Sequence, residues 1–149
     1  HLVLPHLGAS TEEAEENSAS MAAETLMDFL ETGTIRNSVN FPTTILAPHQ
    51  NSSGARLCIV NKNESGALGE ITTFLGTQDC NILQEINTSR DSVAYTVIDL
   101  EKVPSDPLAL QDALAAACPS VVSSRFIGSV FKDELGQPGT FFWVRDDQR

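Results

Sequence analysis

A short segment near the start of the chain places a histidine where acid–base chemistry is common. Residues 5–11 read Pro-His-Leu-Gly-Ala-Ser-Thr, and His6 lies between an apolar run and the start of a helical pattern. In α/β enzymes, a loop that joins a strand end to a helix N-terminus commonly carries the reactive groups. Histidine is the usual proton-transfer group near neutral pH, because its ordinary pKa is about 6.5. His6 is therefore the candidate catalytic residue; the alternative is that it only shapes the loop.

Three asparagines are the candidate binding residues. Asn61 and Asn63 follow an apolar run at 57–60, and Asn81 directly precedes another apolar run. A carboxamide offers a donor and an acceptor together, which suits the ammonium and carboxylate groups of a free amino acid. Asparagine also favours turns, so the alternative is that these residues cap local structure and bind nothing.

A long helix is predicted directly after the His6 segment. The apolar run at 2–4 ends at Pro5 and indicates the end of a buried strand. Ser10 is the expected N-cap, with Glu13 completing a capping box, and the helix should run to about Glu31 with Gly33 closing it. Small and apolar residues recur along it every three or four positions and need a partner surface: Ala14, Ser18, Met21, Ala22, Thr25, Leu26 and Phe29.

The second half of the chain has the pattern β-α-β-β-α-β. Strands are expected near 57–60, 82–88, 93–100 and 121–127, with a hairpin turn at 89–92. Helices are expected at 66–76 and 107–117, the second with Asp106 as N-cap and Pro107 in its first turn. This order is the ferredoxin-like split unit, an α+β arrangement, and the predicted overall fold class of the chain is α/β. The apolar stretch near residue 141 predicts either an extra strand at a sheet edge or an oligomer contact.

Composition narrows the classes of protein that the chain can belong to. Its 149 residues carry 20 acidic and 9 basic side chains, a net charge of −11, which argues against binding nucleic acid or an anionic membrane. No apolar run approaches the length of a membrane span. Three scattered cysteines form neither a disulfide framework nor a zinc site and fit a reducing, cytoplasmic setting. No signal peptide is evident. The sequence looks cut at His1, which leaves open whether a targeting segment lies upstream.

The segment at 5–17, Pro-His-Leu-Gly-Ala-Ser-Thr-x-Glu-Ala-x-Glu-Asn, resembles the active-site histidine segment of NAD-dependent D-2-hydroxyacid dehydrogenases. The continuations at 29–33 and 37–42 are similar to the 3-phosphoglycerate dehydrogenase branch of that family. The resemblance implies that His6 takes the proton of the substrate hydroxyl while hydride leaves for NAD. The chain has no GxGxxG loop, so this part should not bind NAD or oxidise 3-phosphoglycerate on its own.

Residues 57–130 resemble the ACT domain, a small-molecule sensor attached to enzymes of amino-acid biosynthesis. The resemblance is carried by Asn61-Lys-Asn-Glu-Ser-Gly-Ala-Leu68, Asp79-Cys-Asn-Ile82 and Ala94-Tyr-Thr-Val-Ile-Asp-Leu-Glu101. It implies that Asn61, Asn63 and Asn81 hold an effector, with serine the leading candidate. Glu64 and Ser65 replace the family's usual Arg-Pro, and Asn61 replaces a frequent His. The added carboxylate of Glu64 predicts weak serine binding.

These resemblances imply an organisation and a set of partners. Residues 1–42 would be the end of a Rossmann-type catalytic unit, 43–56 a linker, 57–130 the ACT domain and 131–149 an extension. The ACT domain is expected to form a homo-oligomer by extending its sheet across two chains. Two alternatives remain: a regulatory or assembly module without catalysis, and another ACT-bearing 2-hydroxyacid dehydrogenase.

Overall fold

The computed structural model describes residues 11–47, 54–132 and 138–143. The elements are α1 (Glu12–Thr32), β1 (Ala55–Lys62), α2 (Ala67–Thr77), β2 (Ile82–Arg90), β3 (Val93–Leu100), α3 (Pro107–Ala117), β4 (Val121–Lys132) and β5 (Pro138–Trp143). His6 and Ser10 lie outside the described residues. No helix in the described ranges is long and apolar enough to cross a membrane.

One antiparallel sheet organises the second half of the chain. Its strand order is β2-β3-β1-β4-β5, and each neighbouring pair of strands runs antiparallel. The first four strands with α2 and α3 form the ferredoxin-like β-α-β-β-α-β unit, which confirms the predicted fold class. β5 adds the fifth strand beside β4, so the prediction of an extra edge strand after residue 131 is correct.

Helix α2 and helix α3 pack with one face of the sheet to form the main core. Every second residue of β1 points into this core, which gives the alternation expected of a strand between two different environments. The buried members of the core are Ala55, Leu57, Ile59, Ile71, Leu75, Ile98, Leu100, Leu110, Leu114, Cys118 and Phe126. Helix α3 has the bounds that its caps predict, because Asp106 accepts from the backbone N–H of Ala109 at 2.9 Å and Pro107 opens the helix.

The opposite face of the sheet is covered by the end of α1 and the segment at 33–47. Ile35 packs with Cys58, Tyr95, Val97 and Ile127 in a second buried cluster, joined at its margin by Phe29, Phe41 and Leu46. The segment folds back on itself through a backbone bridge between Ile35 and Thr44. Residues 43–47 of the predicted linker therefore lie against the sheet, and Thr44 is fully buried. Strand β1 begins at Ala55, also inside the predicted linker.

Two local predictions need correction. The N-cap of α1 is Thr11, whose hydroxyl accepts from the Ala14 N–H at 3.2 Å, instead of Ser10. The hairpin turn is shorter than predicted, because β2 continues to Arg90 and Asp91 makes the turn with a φ of 55°. Within the described residues the apolar stripe of α1 is largely uncovered, since Met21 and Leu26 remain 58% and 57% exposed, so the partner surface expected for the stripe stays a prediction. Only Phe29, at the C-terminal end of the stripe, packs against the sheet.

Candidate functional site

Asn63 joins two loops at one end of the sheet, called here the loop end. Its backbone N–H donates to the carbonyl of Ser92 at 2.9 Å, and its side-chain Nδ2 donates to the carbonyl of Asp91 at 2.9 Å. The loop after β1 is thereby fixed to the turn between β2 and β3. Asn63 itself remains exposed, so a ligand at the loop end can reach its carboxamide.

Asn61 occupies a different environment from the one expected of a ligand contact. It is only 2% exposed and lies on the face of the sheet that α2 and α3 cover. Its Nδ2 donates to the carbonyl of Lys62 at 2.9 Å, and its Oδ1 accepts from the hydroxyl of Thr96 at 2.9 Å. Both polar groups of this carboxamide are satisfied inside the domain, which is the usual condition for burying an amide.

The loop end also contains the start of helix α2. Gly66 is the N-cap, with a left-handed φ of 90°, and no side chain caps the helix there. A glycine suits this position because a Cβ would be strained at such a φ. The uncapped N–H groups of the first turn favour an anion. The exposed carboxylate of Glu64 lies in the same loop and opposes one, as the sequence predicts.

Asn81 lies at the opposite end of the same sheet. Asn61 pairs with Ala94, whereas Ile82, the residue after Asn81, pairs with Leu100. Ala94 and Leu100 are six positions apart on β3, which corresponds to about 20 Å along the strand. Asn81 instead lines an open cleft of about 600 Å³, where its Nδ2 lies 3.4 Å from an oxygen of Glu101. One chain therefore does not bring the three predicted asparagines together.

The joint between α1 and the sheet contains three residues that the sequence analysis did not single out. Arg125 donates to the carbonyl of Phe29, and Arg56 donates to the carbonyl of Thr32 at 2.7 Å. Tyr95 donates its hydroxyl to the carbonyl of Gly33 at 2.9 Å. Strands β4, β1 and β3 thus supply donors to three carbonyls at the end of α1 and in its cap, and the Phe29 carbonyl also accepts from the N–H of Gly33.

Positive charge at this joint suits the negative end of the helix dipole. The last turn of α1 has no basic residue of its own, and the sheet supplies two arginines in their place. The guanidinium of Arg125 also stacks over the ring of Phe29, 4.1 Å from its centroid. The C-terminal end of α1 is therefore fixed to the middle of the sheet.

Arg56 is also one half of a buried ion pair. Its Nε and Nη2 bind both carboxylate oxygens of Asp99 at 2.6 and 2.8 Å, and Gln84 donates to the same carboxylate at 2.6 Å. Burial alone would lower the pKa of Arg56, but the hydrogen bond and charge of Asp99 outweigh it and raise the pKa. The sequence carries only half of a signal for this pair: Asp99 is a charge within the apolar strand predicted at 93–100, whereas Arg56 falls in the predicted linker, one residue before the strand predicted at 57–60.

Two uncharged groups lie beside the ion pair. Burial raises the pKa of the Cys58 thiol above its ordinary value. Burial likewise raises the pKa of Tyr95, and the neighbouring Cys58 adds to the effect. Both groups stay protonated at neutral pH, so the charge at this joint comes from the arginines and Asp99. The three cysteines are free thiols, with Cys58 and Cys118 buried as small core residues.

An apolar groove of about 770 Å³ runs between α1 and the segment at 34–41. Met21, Leu26 and Phe29 line one wall, and Phe41, Val60 and Tyr95 line the other side. The full lining of the groove includes every residue of the α1 stripe except Ala14, and the described part of the chain leaves most of that stripe uncovered.

The chain is similar to D-3-phosphoglycerate dehydrogenases over most of its length. No family model matches the chain. A D-3-phosphoglycerate dehydrogenase from Escherichia coli K12 is 31% identical over 128 residues, covering 85% of this chain and 30% of the relative. The Haemophilus influenzae enzyme of the same name is 29% identical over 107 residues, covering 72% and 26%. A putative D-3-phosphoglycerate dehydrogenase from Schizosaccharomyces pombe is 27% identical over 128 residues, covering 85% and 27%.

Two solved structures are similar to parts of this chain at low sequence identity. The ACT domain of a GTP pyrophosphokinase from Chlorobium tepidum has a TM-score of 0.41 and 22% identity, covering 48% of this chain and 94% of that one. A formyltetrahydrofolate deformylase from Pseudomonas putida has a TM-score of 0.42 and 13% identity, covering 50% and 27%. The fold assignment does not depend on them, because it follows from the strand order itself.

The strand order and helix placement make the second half of the chain a ferredoxin-like α+β domain, and the solved structures similar to it include ACT domains. The resemblance to D-3-phosphoglycerate dehydrogenases, predicted from the motifs at 5–17 and 57–130, is confirmed over 85% of the chain. The chain spans about 30% of the length of the first relatives that it matches.

Proposed function

We propose that this chain is part of an NAD-dependent 3-phosphoglycerate dehydrogenase and carries its active-site histidine and its amino-acid-sensing ACT domain. The supporting observation is the 31% identity over 128 residues to a relative named D-3-phosphoglycerate dehydrogenase. The parent enzyme would oxidise the substrate hydroxyl to a ketone by passing hydride to NAD. The dinucleotide site and the remaining substrate contacts would belong to the other 70% or so of the parent.

His6 is proposed to accept the hydroxyl proton in that reaction. In the parent enzyme, His6→Ala should lower kcat roughly 100-fold or more, because general acid–base assistance contributes at least that much. The 149-residue chain alone should reduce no NAD, even with saturating 3-phosphoglycerate. NADH absorbance at normal rates from the His6→Ala parent would show that His6 only shapes the loop. Turnover by the chain alone would overturn the assignment of the missing sites.

The proposed domain arrangement is 1–42, 43–56, 57–130 and 131–149, with the linker packed on the sheet at 43–47 and its last two residues forming the start of β1. Residues 33–47 pack on the sheet, so the joint between α1 and the proposed ACT domain is a packed one. Arg56, Tyr95 and Arg125 hold the end of α1 there. An effector that moves the sheet would then move α1 with it, and with α1 the segment that leads to His6.

The effector site is proposed to form between two copies of the chain. Asn63 and Asn61 belong to the loop end of the sheet, and Asn81 lies about 20 Å away, so a second copy must supply one side. Edge strand β2 allows this, because antiparallel pairing of two β2 strands brings the start of one next to the end of the other. A free amino acid such as serine would bind at that seam, with Asn61 supporting the loop from within.

Two measurements on the 149-residue chain test the effector proposal. Sedimentation should show a dimer at high micromolar concentration. Calorimetry should show serine binding no tighter than about 1 mM, roughly −4 kcal/mol, because Glu64 repels the carboxylate. Micromolar serine binding would contradict the role given to Glu64. A monomer that binds neither serine nor glycine would overturn the sensor assignment.

The alternative function for the same fold is a regulatory or assembly module without catalysis. The motif at 5–17 favours the dehydrogenase, because a sensor alone has no use for a histidine segment of that type. A related dehydrogenase with another 2-hydroxyacid substrate would share the motif. Substrate profiling of the parent with 3-phosphoglycerate, lactate and glycerate separates these possibilities.

A further inference from the structure

A hydrogen-bonded row of polar side chains crosses three strands beneath the helices. Asn87 on β2 donates from Nδ2 to the hydroxyl of Thr96 on β3 at 2.7 Å. Thr96 in turn donates to Oδ1 of Asn61 on β1 at 2.9 Å, and Asn61 donates to the carbonyl of Lys62 at 2.9 Å. The donors all point the same way, from the edge of the sheet towards the loop after β1. The middle of this row is buried, since Thr96 is 0% exposed and Asn61 is 2% exposed.

This arrangement removes Asn61 from direct contact with a ligand. Its amide would have to break two buried hydrogen bonds to reach outwards, and each buried group left unpaired costs about 1–3 kcal/mol. Thr96 would also lose its acceptor. The carboxamide of Asn87, at the other end of this row of side chains, has no such constraint, because Asn87 is exposed.

The position of Asn87 suits a ligand contact at the seam between two copies. It lies on edge strand β2, and it pairs directly with Thr96 in the sheet register. Its neighbours Ile86 and Thr88 point to the other face, where they meet the apolar cluster and Thr44. Asn87 therefore shares the helix-covered face and the loop end with Asn61. One N–H is used by Thr96, and within the described residues Oδ1 and the second N–H carry no hydrogen bond.

We propose that Asn87 is an effector-contacting residue at the edge of the sheet and that Thr96 is its positioning residue. The ligand class is a free amino acid, whose ammonium group would donate to Oδ1 of Asn87. The bond to Thr96 fixes the rotation of the carboxamide, so Oδ1 faces away from the sheet. This inference rests on the proposed effector function and adds a residue that the loop motif does not contain.

Calorimetry of the full 149-residue chain with L-serine and glycine tests the assignment. Asn87→Leu keeps the side-chain size and removes both polar groups, so the Kd for the bound amino acid should rise about ten-fold. Thr96→Val should give a smaller rise, because the carboxamide remains but its rotation is no longer fixed. Glu85→Gln is the matched control on the same strand and the same face, and its Kd should stay within two-fold of wild type. Sedimentation of each variant at the same concentration shows whether the dimer is retained.

A second readout separates direct contact from a loss of folding. The side-chain amide resonances of Asn87 should shift on saturation of the wild-type chain with the bound amino acid, whereas those of Asn37, on the opposite face, should not. A dimeric Asn87→Leu variant that binds within two-fold of wild type, or unshifted Asn87 resonances at saturation, overturns the inference alone. Failure of the wild-type chain to bind either amino acid overturns the effector function, and this inference with it.

Discussion

At the scale of single residues, the charge inside the sheet is the feature with the largest energetic consequence. Arg56 and Asp99 are both 9% exposed and face each other across β1 and β3. Taking two charges out of water is costly, and only good geometry with further hydrogen bonds compensates it. Here the guanidinium binds both oxygens of Asp99 and also the carbonyls of Thr32 and Ala47. The pair therefore ties the sheet to α1 and to the segment before residue 48.

Removing one partner of this pair should destabilise the domain more than removing both. Arg56→Met leaves Asp99 buried without its partner, which should lower the free energy of unfolding by about 3–5 kcal/mol. The double variant Arg56→Met/Asp99→Leu should recover a large part of that loss, because no uncompensated charge remains. Urea unfolding followed by circular dichroism measures both. Equal stability of the single and double variants would mean that Asp99 finds another partner.

The buried thiol and phenol predict a loss of stability at high pH. Burial raises the pKa values of Cys58 and Tyr95 above their ordinary values of 9.0 and 10.0. Above pH 9 the unfolded chain releases protons that the folded chain retains, so the free energy of unfolding falls as pH rises. Each such group contributes about 1.4 kcal/mol per pH unit once its unfolded form is ionised. The stabilising effect is fully present below pH 9.

Urea unfolding at pH 8, 9, 10 and 11 checks this dependence. Cys58→Ala should flatten the decline between pH 9 and 10, because one of the contributing groups is gone. Cys80→Ala is the comparison variant, since that thiol is only half-buried and should change the slope less. A Cys58→Ala slope identical to wild type would assign the alkaline loss to other groups.

At the scale of elements, the junction between α1 and the segment that follows decides how the first half of the chain meets the sheet. Gly33 ends α1 in the left-handed region with a φ of 72°, and its N–H donates to the carbonyl of Phe29 at 3.0 Å. The backbone there approaches Cys58 so closely that a Cβ on Gly33 would overlap its sulfur. Both the sharp turn and the contact with β1 depend on the absence of a side chain.

Gly33→Ala should therefore lower the free energy of unfolding by about 2 kcal/mol or more, from the left-handed strain and the overlap together. Gly69→Ala is the matched control, because Gly69 lies inside α2 with open space around it. That change should raise the free energy of unfolding by up to about 1 kcal/mol, since alanine is the better helix former. Thermal and urea unfolding of both variants give the comparison. A neutral Gly33→Ala would show that α1 can end in another conformation without loss.

At the scale of the whole molecule, the two edges of the sheet have different roles. In the described structure, β5 covers the edge of β4, and β2 forms the opposite edge. In the proposed assembly, pairing of two chains through β2 would give a closed dimer, whereas pairing at both edges would allow open-ended growth of the sheet. β5 is then the outer strand on that side, but it has only 6 residues against 12 in β4, and a short edge strand is a poorer template for pairing with another chain. We therefore expect β5 to limit extension of the sheet at the β4 side.

Truncation after Lys132 tests this role, because it removes β5 and exposes the edge of β4. The truncated chain should form species larger than a dimer, detectable by sedimentation at high micromolar concentration. Truncation after Trp143 keeps β5 and should leave the sedimentation profile unchanged. A Lys132 truncation that stays dimeric would show that the edge of β4 is protected without β5.

Local signals in the sequence determined much of this protein. Asp106 and Pro107 define where α3 begins, and Gly33 defines where α1 ends, because caps act through hydrogen bonds within a few residues. The alternation of apolar residues gave the order of strands and helices, and so the ferredoxin-like fold. The motifs at 5–17 and 57–130 were sufficient for the resemblance to D-3-phosphoglycerate dehydrogenases.

Only the tertiary structure decided what each candidate side chain can reach. Asn61, Asn63 and Asn81 look equivalent in the sequence, yet Asn61 is buried, Asn63 is exposed at the loop end and Asn81 lies at the far end of the sheet. Arg56 meets Asp99 across 43 residues of chain, and Asn87 meets Thr96 only through the strand register. Short-range patterns report which residues form a helix or strand, but burial, register and the choice of face depend on contacts between segments that are distant in sequence.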